Sequence, residues 1–284
     1  ASRLTVLGVA IAIFVVCCLL PLAYLLYEFV ITADASFSAL RLDVRQRGLL
    51  YNTAVLGTST AVAATAIGAP LGVVLARVPL RGKDFIRLAL VAPVLLPPYV
   101  VALAWTYVGG SQGFVHGLTG REWLPAWTYS LPAVVGVLSL VLYPLSMLAT
   151  EVAIRRVDGR LEEAALMAAP PSRTWWRITL PLAAPSVAAS SLVIFVLAIS
   201  DFAVPGLLQV RVYTTEVFTA FAALYDVTRA IALTLPLLTL CVVVAGLAAM
   251  VAGDRLVTTR RSPAPLPSLI DRWRRPGWIL AAMV

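Results

Sequence analysis

Arg155-Arg156-Val157-Asp158-Gly159-Arg160-Leu161-Glu162-Glu163-Ala164-Ala165-Leu166-Met167-Ala168-Ala169-Pro170-Pro171-Ser172-Arg173-Thr174-Trp175-Trp176-Arg177-Ile178-Thr179-Leu180-Pro181 separates two apolar stretches of this 284-residue chain. Asp158 stands where a helix cap is needed, and Glu162 and Glu163 fall in the N-terminal half of the helix it would start, where the macrodipole favours negative charge. Leu161, Ala164, Ala165 and Ala168 recur at steps of three and four residues, a stripe of small side chains. Pro170-Pro171 stops the helix. The segment thus predicts a short surface helix over about 158–171 with a face that another rigid body can approach closely. That is a docking element rather than a place for chemistry.

The sequence on either side fixes where this helix sits. Hydrophobic residues make up 61% of the chain and charged residues 13%, against roughly 45–50% and 25% in soluble domains. The mean hydropathy is +0.92. A chain of this length could otherwise form one large soluble domain or two small ones, and the composition excludes both. Six apolar windows approach or exceed the ~18–20 residues that cross a bilayer: Leu4–Ile31, Leu49–Ala76, Leu88–Val108, Tyr129–Thr150, Pro185–Phe202 and Ala230–Ala252. The expected fold is an all-α membrane protein, a six-helix transmembrane bundle. Ala33-Asp34-Ala35 resembles a signal-peptide cleavage site, but the first window far exceeds the ~7–15 residues of a signal core, so it reads as an anchor helix. The chain starts at Ala1 and stops within the short apolar run Gly277–Val284, which reads as the start of a possible seventh span.

Charge supplies the orientation. With Arg3 placed in the cytoplasm, the inner segments (1–3, 77–87, 151–177 and 254–275) hold 16 of the 22 Lys and Arg residues, while the acidic residues split evenly. The positive-inside bias acts on Lys and Arg, so the N-terminus is expected in the cytoplasm. The net charge of +8 then marks topology and gives no reason to invoke nucleic acid. Cys17, Cys18 and Cys241 lie in apolar runs and lack ligand spacing, and a lone His116 builds no His-based cluster, so no metal site and no catalytic residue is expected. Gly68 and Gly72 form a small-xxx-small pair suited to close helix contact in lipid. Prolines at membrane depth, including Pro70, Pro93, Pro97, Pro98, Pro144 and Pro236, predict kinks or breaks.

The polar segment resembles the cytoplasmic loop of the inner-membrane permeases of binding-protein-dependent ABC importers, whose pattern is E-A-A-x3-G-x9-I-x-L-P. Here Glu163-Ala164-Ala165 is followed by Ile178-Thr179-Leu180-Pro181. Counted from Glu163, the Ile arrives one residue early and the glycine position is Ala169. Counted from Glu162, the spacing fits, the first alanine is Glu163 and the glycine position is Ala168. Either register replaces glycine with alanine. The Asn52-Thr53 opening of the second span and Pro97-Pro98 of the third also look like this family.

The resemblance implies a MetI-like permease. Residues 1–48 would form the anchor helix and an outer loop, and 49–252 the permease core. That core contains a coupling loop (151–181), and residues 253–284 would form a cytoplasmic linker and the start of a further span. Glu162, Glu163, Ala164, Ala165, Ala168, Ala169, Ile178, Leu180 and Pro181 would form the surface that couples to a dimer of ABC ATPase subunits. ATP would be bound there, with no cofactor on this chain, since no G-x-x-x-x-G-K-[ST] occurs in the sequence. A periplasmic or lipid-anchored binding protein would deliver the solute. A second permease half, fused, identical or separate, would complete the pathway in a bacterial inner membrane. Ser200-Asp201-Phe202-Ala203-Val204-Pro205, followed by Tyr213-Thr214-Thr215-Glu216, looks like the ferric-iron branch, whose two halves are often fused. Thiamine, polyamine, phosphonate and sulfate or molybdate branches are the alternatives.

Asp201 and Phe202, with Pro97 and Pro98, are candidate pathway residues. An ionisable group near membrane depth lines a path by default, and the plainer reading has Asp201 cap the helix end. Asp226 and Arg229 suggest a helix-surface ion pair. Trp105, Trp123, Trp127 and Trp278 fit interfacial belts, and Trp175 and Trp176 either pack beneath an ATPase or anchor at headgroups. The hydrolase motif H-E-x-x-H is absent from the sequence. A secondary transporter or channel would call for charges in mid-span, and the expected spans carry almost none.

Overall fold

The computed structural model describes residues 44–110, 114–119 and 127–252, with positions 9, 13–20, 23, 24 and 27 of the first apolar run. Most of the expected first span, Trp123, and the linker and further run over 253–284 lie outside the described residues. The described residues form helices and their joining loops: α1 (Val44–Arg77), α2 (Lys83–Leu95), α3 (Pro98–Gly109), α4 (Phe114–Thr119), α5 (Leu131–Arg155), α6 (Gly159–Ala168), α7 (Pro171–Ser200), α8 (Ala203–Leu207), α9 (Tyr213–Phe218, prolonged by a π turn over Thr219–Ala223) and α10 (Val227–Ala252). Val44–Arg77, Leu131–Arg155, Pro171–Ser200 and Arg229–Gly246 are long and apolar enough to cross a membrane. The pair α2 and α3 makes a fifth crossing if counted as one span.

Two expected spans are corrected. The stretch read as one span over Leu88–Val108 is two helices meeting at 87°. Pro97 and Pro98 lack N–H groups, and each proline holds the residue before it in extended backbone. Accordingly Leu96 lies at φ −83°, ψ 131° and Pro97 at φ −56°, ψ 129°. The span read as starting near Pro185 begins instead at Pro171. Pro171 sits in the first helical turn, where a missing N–H costs nothing. A π turn over Trp175–Thr179 then shifts the hydrogen-bond register just ahead of Pro181.

The centre of the bundle is α1 against α5 and α7. Leu56, Ala64, Leu71 and Leu75 of α1 are buried with Val134, Leu138 and Met147 of α5 and with Ile194 and Ile199 of α7. In lipid, helices gain little from hydrophobic burial and associate through van der Waals packing, which rewards close backbones. The glycines provide that closeness. A Cβ on Gly68 would overlap the Tyr143 carbonyl oxygen and lie 2.8 Å from the Met147 nitrogen. One on Gly72 would overlap the Met147 carbonyl oxygen and lie 2.8 Å from the Thr150 Cβ. Higher on α1, a Cβ on Gly57 would overlap Ile199 and lie 2.8 Å from the Phe195 ring, both on α7. Apolar side chains on the outside, such as Leu103, Val193, Leu238 and Val242, are exposed, as a lipid-facing surface requires.

At 1.5 Å per residue α1 is roughly 51 Å long, well beyond the ~30 Å of bilayer hydrocarbon. Both its ends therefore reach past the apolar layer, where charged side chains are tolerated. Gly72→Ala should lower the melting temperature of the detergent-purified protein through overpacking worth about 1–3 kcal/mol. Gly136→Ala, on α5 where an added Cβ meets nothing within 4 Å, should leave it unchanged. Equal melting of the two variants would contradict the close α1–α5 contact.

Candidate functional site

The polar chemistry gathers at the two ends of α1. At the end that carries the loop helix, Asp158 caps α6 by accepting the Arg160 N–H at 3.0 Å. Glu162, in the first turn of α6, is only 3% exposed. The Arg77 guanidinium grips its carboxylate with both terminal nitrogens, Nη1 at 2.8 Å and Nη2 to the other oxygen. The Thr179 hydroxyl donates to Oε1 at 2.6 Å. A forked, charge-assisted pair with a third donor satisfies a buried carboxylate. Arg77 is the last residue of α1; a cation at a helix C-terminus faces an anion at a helix N-terminus, so both macrodipoles favour the pair.

A second buried carboxylate stands alongside. Glu151 of α5, 1% exposed, meets Arg155 one turn on and Arg87 of α2 at 3.3 Å. It holds the start of α2 to the end of α5. Only the loss of both arginines would leave this buried charge uncompensated, at a cost of about 3–5 kcal/mol.

The other expected loop residues face differently. Glu163, Ala164 and Ala168 are exposed, Ala165 and Ala169 are half-buried, and Met167 is 91% exposed. Ile178 and Leu180 are half-buried and Pro181 is exposed. Glu162 and Glu163 therefore point to opposite sides, one into the bundle and one out. Alanine at the glycine position is also explained. In the register counted from Glu163 that position is Ala169, which follows the last turn in extended backbone (φ −149°, ψ 152°) imposed by Pro170; in the register counted from Glu162 it is Ala168, the last helical residue, and neither takes a left-handed conformation.

At the far end, Asp201 follows α7, and its Oδ1 accepts the Val204 N–H at 2.9 Å, capping α8. The Thr214 hydroxyl donates to the Asp201 carbonyl at 3.2 Å. Phe202 stacks on Phe218 with ring centroids 4.4 Å apart. α8 packs on α3, the helix that Pro98 opens, which brings two of the candidate pathway segments together. The segment from Arg211 to Glu216 is fastened to α1. Asn52 Nδ2 donates to the Arg211 carbonyl at 3.3 Å, the Tyr213 N–H donates to Thr53 Oγ1 at 2.8 Å, and Arg45 Nη2 alone reaches both Glu216 carboxylate oxygens at 3.0 and 3.1 Å. Tyr213 is fully buried; desolvation and the Glu216 charge push its phenol up to about 12, so it stays neutral. Arg229 lies 3.9 Å from Glu216, while Asp226 accepts the Arg229 backbone N–H at 2.9 Å; the pair expected between Asp226 and Arg229 is a helix cap instead. The rings of Trp105 and Trp127 lie with centroids 5.8 Å apart, tilted at 55° to each other.

Arg77, Thr179, Glu151 and Glu216 were not among the expected site residues. For Arg77 and Glu151 the available signal is a charge directly after an apolar window (Leu49–Ala76 and Tyr129–Thr150); Thr179 and Glu216 carry no such signal.

Residues 68–255 match the family described as binding-protein-dependent transport system inner membrane component. The chain is 25% identical over 201 residues to the Fe(3+)-transport system permease protein FbpB 2 of Haemophilus influenzae, covering 70% of this chain and 37% of that protein. It is 31% identical over 158 residues to the molybdenum transport system permease protein ModB of Mycobacterium tuberculosis, covering 55% of this chain and 59% of that protein. The chain thus spans well under two thirds of the length of these curated relatives. A solved bacterial alginate ABC transporter, in complex with an alginate pentasaccharide-bound periplasmic protein, shares the fold at TM-score 0.70 and 16% identity, over 91% of this chain and 96% of that one.

Asp201→Asn keeps an acceptor for the α8 cap and should melt as the parent does, whereas Asp201→Ala should lose about 1 kcal/mol. If Asp201→Asn nonetheless changes solute uptake at unchanged stability, the carboxylate also serves the pathway; parental uptake removes it from the pathway residues.

Proposed function

We propose, from the fact that this chain belongs to the binding-protein-dependent transport system inner membrane components, that it forms the membrane pathway of an ATP-driven importer and is worked through α6 by a separate ATPase. The observation that carries this reading is the two-faced geometry of α6. Glu162 ties one face to the bundle, and the other presents Leu161, Ala164, Met167 and Ala168, all exposed and apolar. Small residues on a held helix allow a rigid partner to seat closely, and the chain's own sequence has no nucleotide-cradling loop. In this reading ATP is bound by a dimer of partner subunits, and residues 151–181 are the coupling loop of a permease core over 49–252. A binding protein delivers solute at the far end, where α8 and α9 lie. Phe202, Asp201, Pro97 and Pro98 would border the path, which a second permease half completes.

The end bearing the basic loops faces the cytoplasm, with the N-terminus on the same side and six spans per half, as the distribution of Lys and Arg supports. The solute is proposed to be ferric iron. The ferric relative aligns over 70% of this chain, against 55% for the molybdenum relative. The higher identity of the latter, 31%, makes molybdate the second reading.

Ala164→Trp should abolish copurification of the ATPase while the permease still inserts; retained association would contradict docking on this face. Proteoliposomes holding the permease halves, ATPase and binding protein should accumulate radiolabelled ferric iron only with ATP and without competition from molybdate. Uptake of molybdate instead would replace the ferric reading.

A further inference from the structure

We infer that Glu162 is a fastening rather than an ATPase contact: through Arg77 it carries the displacement of α6 into α1. The inference rests on the proposal that α6 docks on an ATPase, and it adds how the bundle receives the push.

Among the described residues, α6 packs mainly on the short stretch Pro171–Thr174 that follows it, and that contact is small. A thrust on α6 therefore has three routes into the membrane. Two are covalent, through residues 156–158 into α5 and through Ala169-Pro170 into α7. The third is the Glu162 carboxylate, which bridges three elements at once: α6 itself, Arg77 at the end of α1, and Thr179 in the π turn of α7. Without Glu162, α6 still follows its partner but pulls only through its covalent links to α5 and α7, and α1 is released.

The consequence reaches further because of what α1 is. It runs unbroken from Arg77 to the far end, where Arg45, Asn52 and Thr53 hold the segment from Arg211 to Glu216. Along the way Gly68, Gly72 and Gly57 pack it against α5 and α7. A rod fastened at both ends delivers to the far segment a movement that begins at the loop. The burial of Glu162 also separates its role from that of Glu163: with 3% exposure and its bonds turned inward, the Glu162 carboxylate has no surface to offer a partner.

The test uses the full complex of permease halves, ATPase and binding protein in proteoliposomes, reading ATPase association and solute moved per ATP hydrolysed. Glu162→Gln should leave association at the parental level and lower solute per ATP by about tenfold, within the usual range of coupling between sites. Thr179→Val should lower the same ratio less, and the charge exchange Arg77→Glu with Glu162→Arg should restore most of it. Loss of ATPase binding by Glu162→Gln, an unchanged ratio, or a charge exchange no better than Glu162→Gln would each overturn the inference. Ala164→Trp reads the docking proposal separately: an ATPase that stays bound to it contradicts docking, whatever the Glu162 variants do.

Discussion

The close approach of α1 to α5 at Gly68 and Gly72 is the constraint on which the rest of the molecule depends. Tyr143, Met147 and Thr150 of α5 occupy the space that side chains on those glycines would fill. Lipid supplies no force to push two apolar helices together, so the gain has to come from atoms in contact along the seam. Once α1 and α5 are fixed, α7 closes on α1 through Gly57, and α2 is held to α5 by the Tyr143 hydroxyl on the Leu90 carbonyl at 2.9 Å. The bundle has a rigid centre, and its polar groups are displaced to where α1 leaves the hydrocarbon.

Those ends are chemically distinct. The loop end holds two buried carboxylates, Glu151 and Glu162, each answered by arginine. Buried ion pairs add little net stability, but they hold one geometry in preference to others because any unpaired arrangement is costly. That property suits an element that must keep its alignment while a partner pushes on it. The far end is held mainly by α1 side chains bonded to backbone groups, Asn52 on the Arg211 carbonyl and Thr53 on the Tyr213 N–H, with Arg45 on Glu216 outside them. The Asn52-Thr53 dipeptide is thus a latch for the segment that follows α8.

Much of this was legible in the sequence, and the failures are physical. The apolar windows located α1, α5 and α10 because a long uninterrupted helix leaves an unambiguous hydropathy trace. Hydropathy is blind to direction, so the right-angled break at Pro97-Pro98 read as one crossing even though the prolines themselves were noted. The start of α7 was missed because Trp175-Trp176-Arg177 and two prolines suggest a loop, and a π turn absorbs them. Asp158 as a cap and Gly68 and Gly72 as a contact were readable from local chemistry alone. Glu162 stood among the expected coupling residues, and the structure turns its carboxylate into the bundle. Its partner Arg77 lies 85 positions away, and one residue's difference in helical phase decides whether a carboxylate faces a partner protein or its own bundle.

The most direct measurement is a cysteine cross-linking scan of residues 159–168 against the ATPase in the assembled complex, with Cys17, Cys18 and Cys241 first replaced by alanine. If α6 is held by one face and docked by the other, cross-links should form at 161, 164, 167 and 168 and be missing at 162 and 165. Cross-links at 162 and 165, or a scan with no helical period, would contradict the account.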